Sequence, residues 1–277
     1  MMPFLVAASL ASAYAGLLAY IYITQDQRFF PSDGEPFCAF PGLAALQGLA
    51  LSSERSGQVL RYYLVPAQGQ GRAWVLLFHG NRHGARERLD YAQHLAPLGM
   101  NVVLAEYPGY ALPPAQGAEA RETATEASVL RNALAMADLV LDLAKGAPVF
   151  YFGESLGTGP ATYCAMRRPS QGLLLSTPYT TMADVAASGY AWLPVGPFVR
   201  HRFPAWRWAP HVKAKVLVLH GTQDKTIPFA LGSLQASRFA SHEMVALAGK
   251  GHGDLREGAA LWDAARRYLE ERLEQGA

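Results

Sequence analysis

Two cysteines, Cys38 and Cys164, are all that the sequence carries. Lying far apart, they make neither a disulfide framework nor a thiolate metal cluster. Charge is also sparse. Only 17% of residues are Asp, Glu, Lys or Arg, and the formal net charge is +2. No Lys/Arg run is dense enough to track a phosphate backbone, so a nucleic-acid partner is not expected. The richest basic stretch, from Arg200 to Lys215, reads as a solvated loop, with a patch leaning on anionic lipid headgroups as the alternative. Internal repeats and low-complexity tracts are missing, which excludes solenoids and arrays. What remains, 277 residues of which 51% are hydrophobic, suits one sizeable globular unit.

The first segment is different in kind. Phe4 to Ile23 carries no charge over about twenty residues, the length that an α-helix needs to cross a hydrocarbon core of roughly 30 Å. Tyr20 and Tyr22 stand at its end, where amphipathic rings favour an interface. Ala13-Tyr14-Ala15 resembles a signal-peptide cleavage site, but a basic leader is missing and the apolar run continues past it. The expectation is therefore an uncleaved single-pass anchor over 1–24. Arg28 alone does not fix which side of the membrane the rest occupies.

Residues 25–56 are punctuated by Pro and Gly and read as a connector followed by edge strands. Over 57–277, apolar runs of strand length alternate with amphipathic stretches of helix length. The runs are Val59–Val65, Trp74–Phe78, Val102–Ala105, Val149–Phe152, Leu173–Leu175, Val216–Leu219 and Met244–Leu247. Helices are expected over Arg86–Leu98, Glu119–Lys145, Leu156–Arg168, Phe229–Ala240 and Ala259–Glu274. Continuous apolar strands need burial on both faces, and the alternation implies a mostly parallel central sheet flanked by helices. Ligands of such sheets sit beyond the carboxyl ends of the strands. A Pro- and aromatic-rich stretch over 176–212 is expected as a short cap, with Tyr179, Trp192 and Phe198 as candidate pocket residues. Aromatics in such a segment also serve to pack a cap onto a core.

The strand ends carry the chemistry. Phe152 runs into Gly153-Glu154-Ser155-Leu156-Gly157, where flanking glycines permit a tight strand-to-helix turn that lifts a serine hydroxyl out of the sheet. The Leu156 N–H then lies at a helix N-terminus, suited to a developing oxyanion. Phe78 leads to His79-Gly80-Asn81, which makes the Asn81 N–H the candidate second donor. A metal reading of His79 and His83 fails for want of an accompanying glutamate, and the nearby glycines argue for a loop, so His79 is expected to be structural. Leu219 leads to Asp224, and the last strand leads to His252 on a glycine-rich loop. Ser155 as nucleophile, His252 as general base and Asp224 as its orienting acid follow in the chain order of an α/β-hydrolase. His220 is expected beneath the site, and Asp254 lies too near His252 along the chain to orient it. No cofactor or metal is called for.

These motifs resemble the Bem46-like group of α/β-hydrolases, membrane-anchored relatives of the serine aminopeptidase-like domain, over nearly the whole chain. The resemblance is carried by Gln27-Arg28-Phe29-Phe30-Pro31, Phe78-His79-Gly80-Asn81, Glu106-Tyr107-Pro108-Gly109-Tyr110, Gly153-Glu154-Ser155-Leu156-Gly157, Ser176-Thr177-Pro178-Tyr179, His220-Gly221-Thr222-Gln223-Asp224 and His252. It implies the fold, the triad and an anchored topology. One departure stands out: Tyr110 is followed by Ala111-Leu112-Pro113-Pro114 where relatives continue with glycine, so a reshaped pocket loop is expected. The resulting expectation is a membrane-anchored serine hydrolase cleaving an ester or thioester of a small or lipid-like acyl substrate through an acyl-serine intermediate. The alternatives are a serine peptidase or amidase acting on short peptides and a non-catalytic scaffold with a hydrolase fold.

Overall fold

In the computed structural model, which describes residues 2–32, 36–111, 123–190 and 192–275, the side chains of 2–8, 10 and 11 lie outside the description. Eight strands form one sheet: β1 (Leu49–Arg55), β2 (Gln58–Val65), β3 (Ala73–Phe78), β4 (Met100–Ala105), β5 (Val149–Glu154), β6 (Gly172–Ser176), β7 (Val216–Gly221) and β8 (His242–Leu247). Their order is β1-β2-β4-β3-β5-β6-β7-β8. β2 runs antiparallel to both of its neighbours, and every pair from β4 to β8 is parallel. Each strand expected from an apolar run is present. β1 forms within the stretch expected to hold edge strands, paired to β2 across Ser56 and Gly57, both at positive φ.

The unbroken apolar runs reflect a sheet covered on both sides. On one face Leu76, Phe78, Tyr151 and Val218 join a core with helices Glu126–Ala144 and Thr158–Arg167. On the other, Val75, Leu77, Phe152 and Leu219 pack with helices Leu89–Leu95 and Ala259–Glu274. Successive residues of one strand thus feed opposite cores, as the two-residue period requires. Helix Glu126–Ala144 starts at Thr125, whose hydroxyl accepts from Ser128 N at 3.0 Å while the Ser128 hydroxyl accepts from Thr125 N at 2.9 Å. The expected beginning of that helix at 119 and the departure at Leu112-Pro113-Pro114 both lie outside the described residues.

The N-terminal segment departs from expectation. A helix spans Met2–Phe29 without a break at residue 24, and its end is built into the folded domain. The Gln25 side chain is buried, donating to Phe198 O at 3.2 Å and accepting from Arg200 N at 2.8 Å. Asp26 pairs with Arg200 at 2.7 Å and His201 at 2.8 Å, and the Phe30 ring packs on His201 and Phe203. Among the described residues no helix is long and apolar enough to cross a membrane. The last turns of the helix pack on the folded domain.

The described residues between 177 and 212 form helix Met182–Gly189 and short turns at Gly196–Phe198, Ala205–Trp208 and Ala209–His211.

Candidate active site

β5 ends at Glu154 and the chain reverses through Ser155–Gly157 into helix Thr158–Arg167. Ser155 takes φ +52°, a left-handed conformation that L side chains disfavour. Glycines on either side make the turn possible. A Cβ at position 153 would lie 2.5 Å from Gly157 O, and one at 157 would overlap the carbonyl of Phe78 on β3. The G-x-S-x-G spacing is therefore enforced by backbone lying on backbone. Below the turn, Thr158 Oγ1 donates to Ser155 O at 2.7 Å and Tyr179 Oη donates to Leu156 O at 3.0 Å.

The structure brings Ser155, His252 and Asp224 into one hydrogen-bonded chain. Ser155 Oγ lies 3.0 Å from His252 Nε2, and His252 Nδ1 lies 2.7 Å from Asp224 Oδ2. A carboxylate only accepts, so Nδ1 carries the proton and Nε2 offers its lone pair to the serine hydroxyl. Asp224 Oδ1 is fixed by the N–H groups of Thr226 and Ile227, each at 2.8 Å. The loops bearing Asp224 and His252 are tied together by Gln223 N to Lys250 O at 2.9 Å and Gly249 N to Thr222 Oγ1 at 3.0 Å. Burial works against the charge of Asp224, but hydrogen bonds from His220 and His252, the electrostatic attraction of the His252 ring and the Ile227 N–H outweigh it and hold the carboxyl well below its ordinary range.

His220 is fully buried beneath Asp224, with Nε2 donating to Ile227 O at 2.9 Å and lying 3.5 Å from Asp224 Oδ2. Asp254 serves the loop, its Oδ1 accepting from Gly251 N at 2.6 Å.

The two candidate oxyanion donors flank the serine. Leu156 follows it at the start of the helical turn, where no preceding helical carbonyl exists to take its N–H. Gly80 lies against the serine, since a Cβ there would sit 3.4 Å from Ser155 Cβ, and Asn81 is the next residue. A buried lattice fixes this loop. His79 Nδ1 lies 2.7 Å from Gly80 O and its Nε2 3.1 Å from Glu106 Oε1. Glu106 also accepts from Ala85 N at 3.1 Å and Tyr107 N at 3.2 Å. Tyr107 Oη donates to His79 O at 2.8 Å, and Tyr110 Oη to Asn81 O at 2.7 Å. With both ring nitrogens engaged, His79 has no lone pair facing the site. Among the described residues no group of three His, Cys, Asp or Glu side chains converges as a metal site would.

Sequence reasoning overlooked two features. The first is the buried Arg88, whose guanidinium Nε donates to Glu154, immediately before the serine, and whose Nη2 donates to Arg82 O at 3.2 Å. Burial disfavours the Arg88 charge, and Glu154 more than restores it. The second is the origin of the pocket. A cavity of about 340 Å³ adjoins the site, reaching it at Asn81 and at Thr226, whose N–H holds Asp224. One wall comes from the insert, including Met182, Val185 and Phe198, and the other from Ile21, Gln25, Arg28 and Phe29 of the N-terminal helix. Of the three candidate pocket aromatics, Phe198 lines this cavity. Tyr179 is fully buried under the serine turn, and Trp192 is 68% exposed and outside the cavity lining. The packing of the helix on the insert joins residues some 170 positions apart, for which local sequence holds no signal.

A sheet with one reversed strand, a serine on a strand-to-helix turn and a histidine–carboxylate pair from two later strand ends together define an α/β-hydrolase. The chain belongs to the family described as serine aminopeptidase, S33, whose model matches residues 69–210, and within it to the Bem46-like hydrolases that its motifs resemble. It is 31% identical to an uncharacterized protein of Mycobacterium tuberculosis over 270 residues, covering 96% of this chain and 94% of that one. It is 27% identical over 197 residues to the lysophosphatidylserine lipase ABHD12 of Macaca fascicularis, covering 60% of this chain and 48% of the lipase, so the likeness spans about half of that protein. A solved membrane phospholipase A, described as a bacterial virulence factor, shares the fold with a TM-score of 0.62 at 14% identity, covering 98% of this chain and 99% of that one.

Proposed function

We propose that the protein is a serine hydrolase that cleaves the carboxylic ester of a single-chain lipid through an acyl-Ser155 intermediate. The observation that carries this reading is the placement of the Ser155–His252–Asp224 hydrogen-bonded chain beside a mostly apolar cavity that reaches Asn81. Ser155 Oγ attacks the ester carbonyl carbon as its proton passes to His252 Nε2. The tetrahedral oxyanion is met by the N–H groups of Leu156 and Asn81. As the C–O bond breaks, His252 returns the proton to the departing alcohol. Water then enters and attacks the acyl carbon as it loses a proton to the same nitrogen; the acyl–Oγ bond breaks, His252 returns the proton to Ser155 Oγ, and the fatty acid leaves. A thioester would follow the same steps with a thiol as leaving group.

A lipase and a phospholipase stand among the relatives and fold neighbours, which supports an ester substrate. The family's name raises the second reading, cleavage of a peptide from its amino end. That substrate presents an ammonium group, and no carboxylate lines the cavity among the described residues. An ester is therefore favoured. The reading includes a membrane address: the helix Met2–Phe29 exposes Tyr14, Leu17, Tyr20, Tyr22 and Ile23, and close to its docked end the insert exposes Phe198.

Comparison of kcat/KM on acyl esters and aminoacyl amides, together with labelling by a fluorophosphonate probe, tests the proposal. Esters are expected to be preferred, and labelling to vanish in Ser155→Ala. Ser155→Ala and His252→Ala are each expected to lower kcat by about 10³-fold or more. A folded chain that resists the probe and hydrolyses no ester would point instead to a non-catalytic scaffold.

A further inference from the structure

The cavity beside Ser155 has a wall that the strand-and-helix domain does not itself supply. Ile21, Gln25, Arg28 and Phe29 fall at i, i+4, i+7 and i+8, one face of the N-terminal helix, and that face closes the cavity opposite the insert. At 1.5 Å per residue, Ile21 and Arg28 stand about 10 Å apart along the helix axis. The face is fastened to the insert by the Gln25 amide, which bonds Phe198 O and Arg200 N, and by Asp26, which pairs with Arg200 and His201.

The character of this face indicates its use. Gln25 is consumed by the docking, and Ile21 and Phe29 are apolar. Arg28 is the one charged residue among the described lining residues. Its Nε donates to Thr24 Oγ1 at 3.3 Å, its guanidinium lies 5.5 Å from the centre of the Tyr20 ring, and no carboxylate pairs with it among the described residues. A guanidinium that pairs with no carboxylate among the described residues, at the edge of an apolar cavity, suits a phosphate, which it can grip with two N–H groups.

We infer that the N-terminal helix selects the substrate: Ile21 and Phe29 border the path of the acyl chain, and Arg28 pairs with a phosphate on the substrate's polar head. This rests on the acyl-ester reading above and narrows it to single-chain esters with an anionic phosphate head. Ile21 and Arg28 are specificity-determining residues here, acting on binding rather than on the chemical step.

The test uses the full chain in micelles of an uncharged detergent. The substrates are 1-oleoyl-lysophosphatidylglycerol and 1-oleoylglycerol, which share the acyl chain and the glycerol ester and differ in the phosphate. The wild-type chain is expected to prefer the phosphate ester in kcat/KM by about tenfold or more, the worth of a charge-assisted contact. Arg28→Gln should collapse that ratio towards one, chiefly through KM, and Arg28→Lys, which keeps the charge but not the two-pronged grip, should keep only part of it. In a series of 4-nitrophenyl esters of increasing length, Ile21→Trp should shift the preferred chain to a shorter one. Circular dichroism confirms that each variant is folded. A chain that is neither labelled by fluorophosphonate nor active on either ester overturns the acyl-ester reading and this inference with it. A labelled, active chain whose phosphate preference ignores Arg28→Gln and whose length profile ignores Ile21→Trp overturns this inference alone.

Discussion

Ser155 sits at φ +52°, where a Cβ costs about 1–2 kcal/mol, so its backbone is strained whether or not the hydroxyl is present. Ser155→Ala keeps that strain and Ser155→Gly removes it. Both variants are expected to be inactive, with the glycine variant melting higher; equal melting temperatures in calorimetry would show the turn to be relaxed. Asp224 ties pH to stability. Its carboxyl is held below the ordinary range in the folded chain, so the stabilisation is fully present above the unfolded value of about 4 and is lost as pH falls from there towards the lower folded value. Urea titrations of wild type and Asp224→Asn should therefore differ most near neutrality and converge in acid. A gap that widened on acidification would have the wrong sign for this account.

At the scale of elements, β3 and the serine turn behave as one part. Gly157 lies so close to the Phe78 carbonyl that a Cβ has no flexible side chain to push aside. Gly157→Ala is expected to destabilise the chain by about 3 kcal/mol or more and to cut activity even in the fraction that folds. A variant with wild-type melting and rate would show that the two backbones can separate. Legibility in the sequence divides along the same line. The strands, the serine turn and the positions of Asp224 and His252 were readable because each rests on a local pattern: an apolar run, a glycine at fixed spacing, a residue just past a strand. The pairing of Arg88 with Glu154 and the fastening of Gln25 to Phe198 were not, because each is settled by which distant segments pack together. Tyr179 and Trp192 illustrate the same limit. Both are aromatics of one insert, yet one lies under the serine turn and the other faces solvent, and composition assigns no direction to a ring.

At the scale of the molecule, the N-terminal helix has two surfaces with different duties, one against the insert and one exposing Tyr20, Tyr22 and Ile23. The full chain is expected to float with phospholipid vesicles in a density gradient, and a chain lacking residues 1–20 to remain at the bottom while keeping the Gln25 contacts. Flotation of both would move the membrane contact to the insert, and flotation of neither would remove the membrane address. The proposed reacting groups and oxyanion donors come from strand ends locked by backbone contact, whereas the walls of the cavity come from a helix and an insert outside that proposed machinery. Mutations that remodel the walls leave the Gly157–Phe78 lock untouched. Evolution can thus exchange one substrate for another in this architecture by redrawing its periphery, and descendants with unrelated substrates would inherit the same chemistry unaltered.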